Sequence, residues 1–555
     1  MRYPARVFGI TVSGPSRMSF RHTADKFRTC LMAFLLLILA ACGQPPQVET
    51  RALNRAIGPE PETLDPQLAR TTQSHTVLRD LFEGLLTYSA DGKLVAGAAE
   101  RWTVSDDGLT YSFWLRPEAR WSNGETVVAQ DFVYSFRRLV DPKTAAFYAE
   151  TLVNVRNAAD IIAGDKPAES LGVTATDRFQ LTIRLRQPTA YFPSLLAQAA
   201  TYPVNEKSVT ALGETFARPG KLVSNGAYTL ARWELGLIIA LDRNEHYWNN
   251  AGTAIDTVRY HVTPVPSAEL FRYRAGELDI SSTVPTEAFA QMRDEQPEEL
   301  RVATFLSTYY YGFNLNHEEL GSNPKLRQAL SMAVDRKALT EKVIGRGEQP
   351  AYSWVPPGVD NYEAPRLSYA QMSTAAREAT AKRLYAEAGY NEANPLHIEL
   401  RYNTSETHQR IALAVQSMWR DVLGFDAVLI NEEFKVLVAN MRAMEITQIF
   451  RSSWNGDYND AYAFLSIFES DNPSNMFGYR SEEYDSLLQR AAIQPNAERR
   501  RLYLEEAERV LLADHAVMPL YYYVSKHMVR SGIRGWQDNV LDYHYSQHLS
   551  FDPAR

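Results

Sequence analysis

From residue 51 to residue 555 the chain runs without a Pro/Gly/Ser-rich linker, a low-complexity tract or a repeat of fixed period. That stretch is longer than the roughly 100–200 residues one domain usually spans. Its domains must therefore be woven from non-contiguous segments, and a cleft between them is a natural product of that arrangement. With 45% hydrophobic and 22% charged residues the chain is globular rather than disordered. Lys+Arg is 58 against 66 Asp+Glu, a net charge of -8 that disfavours a nucleic-acid partner. Only Cys30 and Cys42 are present, which excludes a disulfide framework and any cysteine-based zinc or iron–sulfur site.

Residues 31–41 form an apolar run, preceded by Arg17, Arg21, Lys26 and Arg28. A bilayer span needs about 20 residues, so this is a secretory signal rather than a membrane helix. The run ends Leu39-Ala40-Ala41-Cys42-Gly43, which resembles a bacterial lipobox, with Cys42 as the lipidated residue. The alternative is an ordinary signal with a chance cysteine. The basic stretch is long, which leaves Met18 as an alternative start. Residues 42–50 read as a tether, and the chain left after removal of 1–41 is more acidic still. No later segment is apolar for 18 residues.

Leu109–Leu115 reads as a strand between turns at Asp106-Asp107-Gly108 and Arg116-Pro117, and Ala129–Leu139 as a helix. In the second half helices are predicted over 324–334, 337–344, 374–388, 406–423 and 496–513. Strands are predicted over 396–402, 427–430 and 518–524. This alternation predicts an α/β fold with a mostly parallel buried sheet, binding ligands beyond the carboxyl ends of its strands.

No phosphate-binding Gly-rich loop, nucleophile elbow or zincin motif is present. A Ser/His/Asp set that converges only in space is not visible to motif reading. His544 and His548 are four apart and would clamp a metal on a helix, but the tyrosines around them favour extended chain, so no metal or other cofactor is expected. Arg451 to Asp460 follows an apolar strand that ends at Ile449-Phe450. Arg451, Trp454 and Asp457 supply a cation, an aromatic wall and an anion, the set a zwitterion with an apolar body requires. The competing reading is a surface loop held by an Asp457–Arg451 pair. His408 sits in the first turn of a helix, where a ligand carboxylate could dock; alternatively it caps the helix or faces solvent. Tyr309–Tyr311 and Tyr521–Tyr523 read either as half-buried core or as a wet cleft wall.

Several stretches resemble one family. They are Pro59–Pro66, Leu81-Phe-Glu-Gly-Leu85, Ala99–Trp102, Asp107–Phe113, Trp121–Gly124, Asp131–Tyr134, Asn225–Tyr228 and Tyr247–Asn250. Together they resemble the solute-binding proteins of bacterial peptide and nickel ABC importers. Thr308–Tyr311, Tyr402–Ser405 and Pro519–Val524 bring the chain nearest to the oligopeptide receptors.

The resemblance implies a type II periplasmic-binding fold: two lobes with a hinge plus an extra domain. The implied domain I is 51–83, 206–306 and 525–555; domain II is 84–205; domain III is 307–524. It further implies a monomeric, non-enzymatic, lipid-anchored receptor of the cell envelope that passes short peptides to the permease and ATPase subunits of an importer. Asp457 would take the peptide amine, and Arg451 and His408 its carboxylate. Trp454, Tyr148, Tyr523, Phe434 and Arg442 would complete the contacts. Phe434 stands where such receptors often carry tryptophan, and Ile344, with Arg346 two residues on, stands where some carry a lysine. Ser307 and Asn455 stand for a cysteine pair found in some relatives. Rival readings are a murein tripeptide, a dipeptide or a metal chelate in the same fold, or an exported hydrolase.

Overall fold

The computed structural model describes residues 9, 11, 13–14 and 51–553; the signal segment and Cys42 lie outside the described residues. Residues from Ala52 onward form one compact unit. Three larger sheets organise it. The first joins Leu53–Gly58 in parallel to Thr257–Val262, which continues antiparallel through Ile238–Arg243 to Tyr228–Glu234. The second is wholly antiparallel, ordered Ala99–Val104, Thr110–Leu115, Gln180–Arg184, Val173–Asp177. The third has six strands, in the order Gln349–Pro350, Val517–Met528, Leu300–Phe313, Ile449–Asn455, Glu399–Asn403 and Val428–Glu432.

The expected mostly parallel sheet is therefore corrected. In the third sheet only the Glu399–Asn403 strand pairs in parallel, with both of its neighbours, while the long strands Leu300–Phe313 and Val517–Met528 pair antiparallel. The parallel part is a real βαβ unit, whose crossover is the helix Glu406–Leu423. Ser405 caps that helix by accepting from the His408 backbone N–H, and Gly424, at φ 77°, ends it in the left-handed conformation. Ser373 and Asn496 cap the helices Thr374–Glu387 and Ala497–Ala513 in the same way. Among the described residues no helix is long and apolar enough to cross a membrane.

Motif residues meet in space around one buried carboxyl, Glu83, and a second buried carboxyl, Glu508, organises another knot. Glu83 accepts from Tyr247 Oη at 2.5 Å and Trp248 Nε1 at 2.8 Å, while its backbone exchanges two hydrogen bonds with the Asn225 side chain. Gly226 lies against the Leu81–Phe82 backbone; a Cβ there would sit 2.5 Å from the Leu81 carbonyl carbon, so only glycine fits. Glu508 accepts from the backbone N–H groups of Trp354 and Val355 at 2.6 and 3.0 Å and from the Tyr362 hydroxyl. Trp354 also accepts from Thr308 through its carbonyl, which ties this knot to the Leu300–Phe313 strand.

Burial pushes both carboxyls up from 4.5 to about 7, against the hydrogen bonds that oppose the rise. Between those two pH values the folded protein holds protons that the unfolded chain has released. These groups therefore favour folding most at acid pH, and their contribution declines as pH rises from 4.5 toward 7. Replacing Glu508 by Gln should remove its share of that decline. Urea unfolding at pH 5 and pH 7 checks this: the stability of E508Q relative to wild type should be higher at pH 7 than at pH 5, and a difference independent of pH would refute it.

Candidate binding cleft

Two clusters are built at the ends of one strand segment. Arg451 lies inside the strand Ile449–Asn455, not in a loop after Phe450 as the apolar run suggested, and pairs across to Tyr311. Its guanidinium donates to Asn403 Oδ1 at 3.0 Å and to Tyr523 Oη at 3.1 Å, and lies 4.6 Å from the centroid of the Tyr309 ring. Tyr309 in turn stacks on Tyr521, with centroids 4.5 Å apart, and its hydroxyl meets His408 Nδ1 at 3.4 Å.

Arg451 is buried, its Nε–H has no partner, and no carboxylate among the described residues lies within ion-pair distance of it. The Asp457–Arg451 pair is thus absent. Burial and then the Arg451 charge pull His408 down to about 4, so the imidazole is neutral near pH 7. The cluster offers one cation, unneutralised and partly desolvated.

Asp457 follows the strand by two residues. A Cβ on the intervening Gly456 would lie 2.6 Å from the Phe464 ring, so the absence of a side chain lets the strand end pack there. The Gln198 side chain donates to the Asp457 backbone carbonyl at 3.1 Å. Asp457 lines a cavity of about 430 Å³ together with His75, Arg79, Tyr148, Gln198 and Tyr543. The residue is exposed, because the cavity opens to solvent. Crowding by the surrounding walls still raises its carboxyl above the usual aspartate range, and no cation forms an ion pair with it among the described residues.

Tyr148 is placed in this cavity: its ring lies 5.6 Å from His75, and burial followed by the Asp457 charge raises its phenol. Trp454 donates its indole N–H to the Ala463 carbonyl at 2.7 Å, so it offers a wall and no free donor. Phe434 and Arg442 occupy the first and last turns of the helix Phe434–Ala443, both exposed, and join neither cluster's hydrogen bonds or ring contacts. Ser307 and Asn455 are directly opposed and hydrogen-bonded. Sequence reasoning did not single out Asn403, Gln198, His75 or Arg79 as site residues. Asn403 stands within the Tyr402–Ser405 motif; the others carry no local signal.

Residues 93–476 match the family of bacterial extracellular solute-binding proteins, family 5 Middle. The chain belongs to that family. It is 37% identical over 506 residues to the periplasmic oligopeptide-binding protein OppA of Escherichia coli (strain K12), covering 90% of this chain and 92% of that protein. The unliganded open form of the periplasmic murein tripeptide-binding protein MppA superimposes with a TM-score of 0.86 at 36% identity, covering 91% and 98% of the two chains. The Haemophilus influenzae OppA complex with RPPGFSPFR gives 0.69 at 35% identity, covering 91% and 99%. The family 5 proteins bind solutes and are not enzymes, and they have the type II two-lobed fold with an additional domain. The better match to an open form agrees with the solvent-reached Asp457.

A buried cation without a counter-ion is a liability to the ligand-free fold. Arg451→Met should therefore leave the stability of the ligand-free protein unchanged or raise it by about 1 kcal/mol. Chemical denaturation checks this, and a loss beyond about 2 kcal/mol would mean that the cation is structural.

Proposed function

We propose that this chain is an exported lipoprotein that captures short peptides with free termini and delivers them to an ABC permease. What carries the reading is the pair of opposite charges left without partners at the two ends of one strand segment: the Asp457 carboxylate in the open cavity and the Arg451 guanidinium six residues earlier. The peptide ammonium would neutralise Asp457, and its carboxylate would meet Arg451 beside neutral His408. At about 3.3 Å per strand residue their Cα atoms lie at most ~20 Å apart, about the length of an extended peptide of six residues. The peptide would lie extended as an added strand, with Tyr148, Trp454 and Tyr523 as walls. Closure would follow from its preference for the closed lobes.

The reading places one large sheet in each of three domains: 51–83 with 206–306 and 525–555, then 84–205, then 307–524. Similarity to OppA supports an oligopeptide ligand. The match to the open murein tripeptide receptor makes that tripeptide a second candidate.

Calorimetry tests the amine anchor. Asp457→Ala should weaken binding of a free-amine tetrapeptide by about two to nearly four orders of magnitude, the ~3–5 kcal/mol of a buried charge left unpaired on closure. The wild type should reject the N-acetylated peptide comparably. Since the carboxyl is raised and only its ionised form attracts ammonium, affinity should fall on acidification before an ordinary aspartate would titrate. Unchanged affinity in D457A would overturn the assignment, and mass spectrometry of co-purifying ligand would separate oligopeptide from murein tripeptide. For the anchor, labelling of cells with radioactive palmitate should mark the wild type and not C42A.

A further inference from the structure

Apart from the peptide cleft, three side chains with metal-binding groups converge beside the first sheet. His527 comes from the end of the Val517–Met528 strand, and Asp542 and His544 from the segment near the C-terminus. Their ligand atoms all lie within 4.8 Å of one another. Asp542 Oδ1 is 2.9 Å from His527 Nε2 and 3.1 Å from His544 Nε2. Donors bound tetrahedrally to one zinc ion at ~2.0–2.1 Å stand ~3.3 Å apart, so small shifts would seat an ion between them. We propose that His527, Asp542 and His544 form a binding site for a divalent transition metal, zinc being the best fit.

The surroundings support this independently. His527 Nδ1 is 2.9 Å from the Ser281 carbonyl, which takes an N–H from that nitrogen and so directs Nε2 toward the cluster. This is the outer hydrogen bond that metal-binding imidazoles usually make. The His544 ring is fixed by stacking on Trp536, with centroids 3.6 Å apart and planes 17° apart. Asp542 is held at φ 57°, a left-handed conformation that is uncommon for a non-glycine residue.

The three residues open on a separate cavity of about 290 Å³, which leaves room for water or a further ligand on the ion. Arg55 also lines that cavity, but its guanidinium is engaged by Tyr260 and Ser546. The same cavity is lined by a second guanidinium, Arg79, and by two carboxyl groups, Glu269 and Asp542. Two imidazoles and one carboxylate suit zinc, with nickel and copper as competitors, and disfavour magnesium or calcium.

The test uses protein purified without a polyhistidine tag, freed of metal with EDTA and titrated with zinc chloride by calorimetry. One site per chain is expected. H544Q and D542N should each weaken it at least tenfold, while H397Q, at an exposed histidine elsewhere, should not. X-ray absorption at the zinc edge of the wild-type complex should show two imidazole ligands at ~2.0–2.1 Å, a readout independent of how the variants fold. Absence of a saturable site, equal affinity in H544Q and D542N, or an edge spectrum without imidazole would overturn the proposal. Peptide binding is measured separately in the same variants and should persist, so failure of the peptide reading would leave this result intact.

Discussion

The antiparallel pairing of Leu300–Phe313 with Val517–Met528 is the constraint on which the rest depends. One end of the ladder, from Leu300 opposite Met528, stands beside the first sheet through the Ile280–Val529 bridge. The other end forms the middle of the six-stranded sheet. Tyr309, Tyr521 and Tyr523 all project from this pair, and Arg451 is laid against them by the neighbouring strand. The Glu508 knot fastens the back of the same strand through Trp354 and Thr308. A chain whose cleft must keep its geometry while its lobes move needs such a continuous element, because ladder hydrogen bonds resist shear better than loops do.

Much of this was legible in the residues, for local reasons. The Glu406–Leu423 helix matched its predicted limits because Ser405 and Gly424 mark them chemically. The motif stretches were recognisable because each contributes a contact that tolerates few substitutes, as Glu83, Asn225 and Gly226 do. The parallel sheet was over-read because βαβ alternation describes only the 399–455 segment, whereas the long strands arrive from sequence positions far apart. The strand holding Arg451 seemed to end at Phe450 because its next residues are polar. They are polar because the strand there passes from core to cleft wall.

Side chains that gain meaning only through tertiary contact were the least legible. Gln198 reaches the Asp457 carbonyl from more than 250 positions away, and no pattern in either segment announces it. His544 was judged against His548 because four-residue spacing places ligands together on a helix. The segment is not helical at His544, and the partners that the fold supplies are Asp542 and His527.

The two charged clusters differ in a way that bears on how a ligand would be held. Every residue of the Arg451 cluster comes from the 309–523 stretch, so that cluster is assembled before any ligand arrives. Its cation is spread over a tyrosine ring, a phenol and an amide, which lets it stay buried without a counter-ion. The Asp457 cavity instead draws its walls from residues 75–202 and from 456–458 and 543, and its carboxylate remains in reach of water. A carboxylate in water interacts weakly with an ammonium, and the same pair gains strength as the walls close and water leaves. In the proposed binding mode the preassembled end would set where a ligand lies, and the end that is still open would be where binding energy is converted into closure.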